Sequence, residues 1–494
     1  MGIGLLERIW IIGGALGDPD YDEATVGIQA LQFRRGHLDV FFLNQPYGGT
    51  VETALVTFSQ TIFGVTVFAL KVVPIACAAA AAVLVWRCAL RLGYGPWAQL
   101  CAVTVAWCGF APNVFYSTKE RGFYGVALVL AALVVLLVLR LDQAVTRNDL
   151  LWLGLCGGLG WWQTPLSLLV FVPAVAWLVV RRPQVVTRAG WAVGAAVVGA
   201  LPWLIWNAAN GWESLRQEDV LGASWWDRER QFLTQLRLVV GIQTPFTDAR
   251  NLLPGRWTGA VIVALVIAAA TVATRHRAPG LLAVLTVGYG ALYALNSLAI
   301  VTGFDPRYTY LLLPAVALSV AALVPDRPEA RSGDARPATA ALAASTLVIA
   351  VTVWGLVGIQ QVAVGPTHYW FLSSPRLDEV AQLLEERGSG PIMTDSPGMQ
   401  IAYYTEGRIE AGSFAVTRLP SYDRAARRAP RSTYVLTEDE FGNATRLQRH
   451  LDSHHIGYRR EVIGRWNVFF IHQRVLPEDA RLLYVFGGVV QAPA

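Results

Sequence analysis

Gly17-Asp18-Pro19-Asp20-Tyr21-Asp22-Glu23 sets four acids directly behind the first apolar run of a chain that is otherwise rich in long apolar segments. A carboxylate at a bilayer boundary costs free energy unless it faces water, a cation or a partner, so such a cluster is a functional candidate. The same residues also fit a plain loop whose Asp caps a helix starting near Ala24. The two readings make opposite demands on the acids, and the surrounding chain has to decide between them.

The 494 residues are 54% hydrophobic and only 15% charged, with a mean hydropathy of +0.42. That composition belongs to a membrane protein, and many of the apolar runs reach the ~20 residues needed to cross a hydrocarbon core. The net charge of +5 is carried almost wholly by arginine, with Lys71 and Lys119 the only lysines. Because these arginines are scattered over helix ends without a basic stripe, nucleic acid is not an expected partner. Cys77, Cys88, Cys101, Cys108 and Cys156 all fall in apolar segments and behave as small hydrophobes, leaving neither a disulfide framework nor a metal spacing.

Outward from the acids, Ile9 to Leu16 is too short to span, and Glu7 and Arg8 interrupt the run before it. Either the first helix is short or its beginning lies ahead of Met1; the second is the expectation, since there is no basic n-region and no small-residue cleavage site of a signal peptide. Asp18 to Gly64 reads as two amphipathic helices at the membrane surface. Val26, Ala30 and Phe33 mark the first, Arg34-Arg35-Gly36 ends it, and Asn44-Gln45-Pro46-Tyr47-Gly48-Gly49 turns the chain into a second helix from Thr50 to Phe63. Ten further spans are expected: Val65 to Arg87, Trp97 to Phe115, Gly122 to Leu141, Leu150 to Trp162, Pro165 to Val180, Ala189 to Ala208, Trp257 to Thr274, Pro279 to Thr302, Tyr308 to Val324 and Ala338 to Val364. With the first helix this makes about eleven transmembrane helices.

Alternate short connections carry Arg87 and Arg91, Arg140 and Arg147, Arg181, Arg182 and Arg188, Arg275 and Arg277, and Arg327, Arg331 and Arg336. By the positive-inside rule these are cytoplasmic, as is the N-terminus. Residues 18–64, the Trp-rich loop Asn210 to Arg256 and the tail then face the exterior. The tail is expected to be a small soluble α/β domain of residues 366–494: helices at Leu377 to Arg387 and Thr445 to His455, strands at Pro391 to Thr394 and Thr433 to Thr437, and a hairpin of Tyr458 to Ile463 with Trp466 to His472. Residues 1–365 form the membrane domain, with 18–64 as its catalytic exterior loop.

Three polar clusters share the exterior side. Asp20, Asp22 and Glu23, with Gln45, Tyr47 and Glu52 from the following turn, can supply a general base and oxygen ligands for a divalent cation such as Mg, Mn or Ca. Ser117 to Tyr124, containing Lys119, Glu120 and Arg121, lies between two spans, and Gly303-Phe304-Asp305-Pro306-Arg307-Tyr308 precedes another. Arginine at that depth suits a lipid phosphate, although headgroup snorkelling explains either arginine taken singly. His450, His454 and His455 lack partner ligands and read as surface histidines; Trp161-Trp162 and Trp225-Trp226 read as interfacial anchors.

Asp22-Glu23-Ala24 after the first helix, the Gln45-Pro46-Tyr47 turn, the Lys119 to Tyr124 junction and Arg307-Tyr308 with Pro314 beyond it resemble the GT-C superfamily of membrane glycosyltransferases. The branch is that of protein O-mannosyltransferases and lipid A aminoarabinose transferases. The resemblance implies transfer of a sugar, with inversion, from a polyprenyl-phosphate donor to a glycan, lipid or protein acceptor. It implies that Asp22 is the base with Glu23 beside it and Asp20 as rival. Arg307, Lys119, Arg121 and Tyr308 would lie toward the donor phosphate, and Gln45, Tyr47, Glu52 and Glu120 toward substrate. Relatives often carry a basic residue followed by Pro-Pro where this turn reads Asn-Gln-Pro-Tyr, so donor contacts differ there. A GC-rich actinobacterial source would favour decaprenyl-phosphate donors of mannose or arabinose. A transporter or flippase of a lipid-linked or small solute is the competing class, and it would place charges near the middle of several helices. A scaffold whose tail binds a partner is the third, and it makes no use of the acids.

Overall fold

The computed structural model describes residues 1–14, 16–216, 223–245, 253–295, 305–324, 336–364, 374–395, 397–415, 417–437, 442–486 and 489–491. Gly303, Phe304, the end of the expected Pro279 to Thr302 span, Arg327 and Arg331 lie outside the described residues. The chain is mainly helical and divides into two compact units. The first takes Met1–Ala15, Tyr47–Glu52 and Lys71–His368; the second takes Leu16–Pro46, Thr53–Leu70 and Tyr369–Ala494.

Three described helices are long and apolar enough to cross a membrane by themselves: Val67–Arg91, Tyr124–Gln143 and Ser345–Val364. Ala189–Gly199 and Leu201–Ala209 make a fourth as a pair bent by 60°. Pro202 follows directly in the second half, where its missing N–H is harmless at a helix start but prevents a straight continuation. Trp97 to Phe115, read as one span, is broken into Pro96–Thr104, a wide turn at Val105–Gly109 and Ala111–Tyr116. Pro112 again stands at the start of the last piece. The helices Leu168–Arg181, Thr258–Ala273 and Leu281–Tyr293 are shorter than a full span. Periodicity and hydropathy locate these segments, yet tertiary packing sets where each helix stops.

Within the first unit, Ala189–Gly199 lies along Arg147–Gln163 at very close range. A Cβ on Gly154 would meet the Ala192 carbonyl oxygen at 1.9 Å, and one on Gly158 the Ala196 oxygen at 2.0 Å. Small residues four apart let two backbones touch, the usual means of packing helices where no hydrophobic gain drives them together. The helix-end charges pair locally: Arg140 with Asp149 at 2.8 Å, and Arg181 and Arg182 with Asp142 at 3.4 and 3.0 Å. Arg8, anomalous in an apolar helix, is buried and donates to Ser117 Oγ at 2.9 Å and to the carbonyls of Gly4 and Trp107, with its guanidinium 3.7 Å from the Trp107 ring centre. Every buried arginine needs such an acceptor set, and this one finds it along two chain segments.

In the second unit the tail builds a five-stranded mixed sheet. Numbering the strands of the whole chain, β1 is Phe41–Phe42, β2 Gln45–Gly49, β3 Ile392–Thr394, β4 Ala411–Ser413, β5 Thr433–Thr437, β6 Tyr458–Ile463 and β7 Trp466–Ile471. The sheet order is β4-β3-β5-β7-β6, with β3 parallel to β4 and β5, and β7 antiparallel to β5 and β6. The β6–β7 hairpin closes at Gly464-Arg465, where Gly464 takes φ 58°, the left-handed conformation a two-residue hairpin turn requires. Helices Leu377–Glu386 and Asn443–Ser453 stand where amphipathic spacing puts them, and Leu447, Leu451, Tyr434, Phe469 and Ile471 share one buried core. Gly398–Tyr404, Pro420–Arg428 and β4 have no clear periodic signal; they are too short to show one.

Candidate active site

In the second unit, the helix Tyr21–Arg34 begins with a complete capping box. The Asp20 carboxylate accepts from the backbone N–H groups of Asp22 and Glu23, both at 3.1 Å, and Glu23 Oε2 accepts in return from the Asp20 N–H at 3.1 Å. Both side chains are buried, and their oxygens satisfy helix-start donors that would otherwise be orphaned. Asp22, one position between them, points elsewhere. Its Oδ1 accepts from Arg418 Nη2 at 3.0 Å, the side chains being 23% and 9% exposed. Arg418 also donates to the Leu43 carbonyl at 3.4 Å, and its guanidinium lies 5.2 Å from the Phe42 ring centre and 5.8 Å from that of Tyr21.

Local bonds hold the Arg418 segment. Thr417 Oγ1 and Ser413 N–H both donate to Asp423 at the start of Pro420–Arg428, and Asn44 Nδ2 donates to the Thr417 carbonyl at 2.8 Å. The turn carrying Gln45 is thus tied to the same tail segment that reaches Asp22. Arg418 stands 396 positions from Asp22, and nothing in Arg418-Leu419-Pro420 distinguishes it from any other surface arginine in the sequence.

The first unit gathers Tyr47, Glu52, Lys119, Glu120, Arg121, Arg307 and Tyr308. Glu52 is fully buried at the start of the helix Val51–Phe63, where it accepts from the N–H groups of Gly125 and Val126 at 3.3 and 2.9 Å, capping Tyr124–Gln143 from outside. It also hydrogen bonds the Glu120 side chain; burial pushes the Glu52 carboxyl up, against the pull of those three hydrogen bonds. Glu120 further accepts from the Gly122 N–H at 3.0 Å. Gln163, not singled out in the sequence, clasps this region: its Oε1 accepts from Val51 N–H at 3.2 Å and its Nε2 donates to the Gly122 carbonyl at 3.3 Å. A lone amide ending an apolar helix was the available signal.

Lys119 and Arg121 are buried rather than spread on a surface, at 2% and 4% exposure. Lys119 lies 5.8 Å from the Phe115 ring centre, and Arg121 lies 5.9 Å from that of Tyr116. Tyr116 stacks edge-on with Tyr124 and Tyr310 at 5.5 and 4.9 Å. Arg307 sits in the short turn of helix Pro306–Tyr308, capped by Asp305, whose carboxylate accepts from the Arg307 backbone N–H at 3.0 Å and from its guanidinium. Tyr289 fixes that turn by donating to the Tyr308 carbonyl at 2.6 Å. Arg307 keeps 23% of its side chain exposed although Asp305 is buried.

Tyr308 and Tyr47, with Phe123, Tyr124, Trp161 and Leu169, line a cavity of about 380 Å³. The Tyr47 ring meets Phe123 edge-on at 6.3 Å, and Gly48 leaves room for that contact, since a Cβ there would stand 2.5 Å from the Phe123 ring. The cavity is mostly apolar and aromatic and counts the tyrosines Tyr47, Tyr124 and Tyr308 in its lining, which suits an apolar chain with a polar head. For a divalent cation the fit is poor. Among the described residues no three His, Cys, Asp or Glu side chains converge, and Asp20, Glu23 and Glu52 already spend oxygens on backbone amides.

The chain matches ArnT from Cupriavidus metallidurans in the apo state with a TM-score of 0.65, and the same protein bound to undecaprenyl phosphate with a TM-score of 0.63. In each case 95% of this chain and 96% of ArnT are covered, at 11% sequence identity. The chain shares the fold of ArnT. No protein-family model matches the sequence, and no curated protein does. At 11% identity the likeness concerns fold alone.

Proposed function

We propose that the chain is a multi-pass cell-membrane glycosyltransferase that moves a sugar from a polyprenyl-phosphate donor to an acceptor hydroxyl at the exterior face, with inversion. The main support is the likeness of nearly the whole chain to a protein that was solved with undecaprenyl phosphate bound. The aromatic cavity beside Tyr308, with Arg307 in the adjacent position, supports a lipid-phosphate ligand further. In this reading the N-terminus is cytoplasmic, residues 18–64 and 366–494 are exterior, and the acceptor is a glycan, lipid or protein.

Asp22 serves as the general base. As the acceptor oxygen forms its bond to the anomeric carbon, Asp22 takes the hydroxyl proton, and the bond from that carbon to the phosphate oxygen breaks. Polyprenyl phosphate leaves with the electron pair, and Arg307, assisted by Lys119 and Arg121, stabilises the added charge on its oxygens. Asp20 and Glu23 hold the helix start that presents Asp22, through the capping box. Gln45, Tyr47, Glu52 and Glu120 border the substrates, and no step requires a metal.

The test is transfer of radiolabelled sugar from polyprenyl-phosphate donors into membrane acceptors, with wild type and Asp22→Asn at equal expression. Loss of transfer in Asp22→Asn, with Asp20→Asn retaining most of it, is expected. Full activity of Asp22→Asn removes the base assignment.

A further inference from the structure

The second unit contains a cleft of about 450 Å³ that the transfer chemistry leaves unused. Its rim is formed by Gln32, Arg35, His37, Asp39, Glu410 and Tyr422. Ile28, Leu31, Gln32 and Arg35 recur at helical spacing, so one stripe of Tyr21–Arg34 supplies a wall of the cleft. Opposite it stand Glu410, just before β4, and Tyr422, on Pro420–Arg428. Gly407, with φ +75°, lines this space beside Tyr422 and Arg35: a Cβ there would lie in ordinary contact, 3.6 Å from the Tyr422 hydroxyl and 3.9 Å from the Arg35 guanidinium. Arg35 itself reaches the Glu406 carbonyl at 3.5 Å.

The chemistry of the rim limits the ligand. Arg35 and His37 are balanced by Asp39 and Glu410, which disfavours a phosphate or another polyanion. Polar groups around the whole rim disfavour a lipid chain. The lining combines donors and acceptors on planar side chains with the Tyr422 ring and with leucine and isoleucine side chains. A sugar ring has the same two characters, hydroxyls that both donate and accept around its edge and C–H groups on its face. The volume falls within the range of about 300–1,000 Å³ typical of small-ligand sites.

The cleft also adjoins Asp22. Leu43 and Leu419 line it, while Arg418 donates to both the Leu43 carbonyl and Asp22. Along the helix at 1.5 Å per residue, Asp22 stands about 9 Å from Ile28 and about 20 Å from Arg35. Resting on the transferase reading above, we infer that this cleft is a second acceptor subsite that binds the body of an oligosaccharide whose terminal hydroxyl reaches Asp22. The enzyme then extends or decorates a glycan chain, and acceptor length contributes to its selectivity.

Full-length protein in lipid nanodiscs is applied, without donor, to a printed array of neutral bacterial-envelope oligosaccharides and to a matched peptide array. Wild type is expected to retain oligosaccharides, and Arg35→Ala and Tyr422→Ala to weaken retention at least about tenfold, equivalent to about 1.4 kcal/mol. Arg34→Ala, an exposed neighbour outside the cleft, is expected to bind as wild type, which controls for misfolding together with thermal melting of each variant. Asp22→Asn is expected to keep oligosaccharide binding while losing transfer, so the subsite stands even where the base assignment fails. Absence of oligosaccharide binding by wild type, equal binding by both cleft variants, or cleft-dependent capture of peptides instead would overturn the inference.

Discussion

Replacing Arg418 with alanine tests whether the tail takes part in presenting Asp22. The pair is separated by 3.0 Å, with side-chain exposures of 9% for Arg418 and 23% for Asp22. Exposed ion pairs contribute about 0–1 kcal/mol, whereas removing one partner of a buried pair costs about 3–5 kcal/mol. With these exposures the expected loss lies between, about 1–3 kcal/mol, which as a rate is about 5- to 150-fold. Arg418 touches the carboxylate and leaves the reacting atoms to it, so its part is to position Asp22. The assay is the initial rate of sugar transfer from a polyprenyl-phosphate donor by purified protein. Arg418→Ala is expected to lower kcat more than it raises the donor KM, and Arg418→Lys, which restores one donor, to recover part of the rate. Added guanidinium ion is expected to rescue Arg418→Ala and not Asp22→Asn. A merely structural contact would show itself as a lowered melting temperature with no rescue, and an unchanged kcat/KM in Arg418→Ala would refute the argument outright.

Three other perturbations follow from local geometry. Asp20→Ala removes the acceptor of two helix-start N–H groups and is expected to cost about 1–2 kcal/mol of stability, while Asp20→Asn keeps a capping oxygen and most of it; thermal melting of the purified protein decides. Burial holds the Glu52 carboxyl above its ordinary range, so its contribution to stability is full below the unfolded value and is lost as pH rises through the raised one. Melting temperature should therefore fall as pH rises from the ordinary carboxylate range through the raised value, and Glu52→Gln should flatten that slope. Gly158→Ala puts a Cβ about 2.0 Å from the Ala196 carbonyl oxygen and is expected to destabilise the helix pair by about 1–3 kcal/mol, while Gly194→Ala, with nothing within 4 Å, is tolerated; detergent-stability assays separate them.

The sequence makes some of this architecture legible because local chemistry determines it. Arg34-Arg35-Gly36 ends the helix Tyr21–Arg34, and Gly36 adopts φ +86°, as a residue without a Cβ allows. The helix Val51–Phe63 and the β6–β7 hairpin follow their periodicities for the same reason. Tyr21–Arg34 itself buries every residue from Glu23 to Leu31, where the amphipathic reading expects one exposed face. The helix breaks at Val105–Gly109 and Ala200 are less legible, since an apolar run supplies composition but does not fix where packing interrupts it. The acids divide along the same line. Asp20 and Glu23 fit a capping pattern three residues apart and meet each other as that pattern requires, whereas Asp22 finds its partner through a tail segment close to four hundred residues away. No spacing rule could pair Asp22 with Arg418, because the contact depends on β4, on the start of Pro420–Arg428 and on Asn44 acting together. The consequence is physical: a capping acid keeps its geometry with its own helix, but Asp22 keeps its geometry only while the tail is folded against residues 21–44. Unfolding the tail should therefore disable Asp22 while leaving the capping box at Asp20 intact.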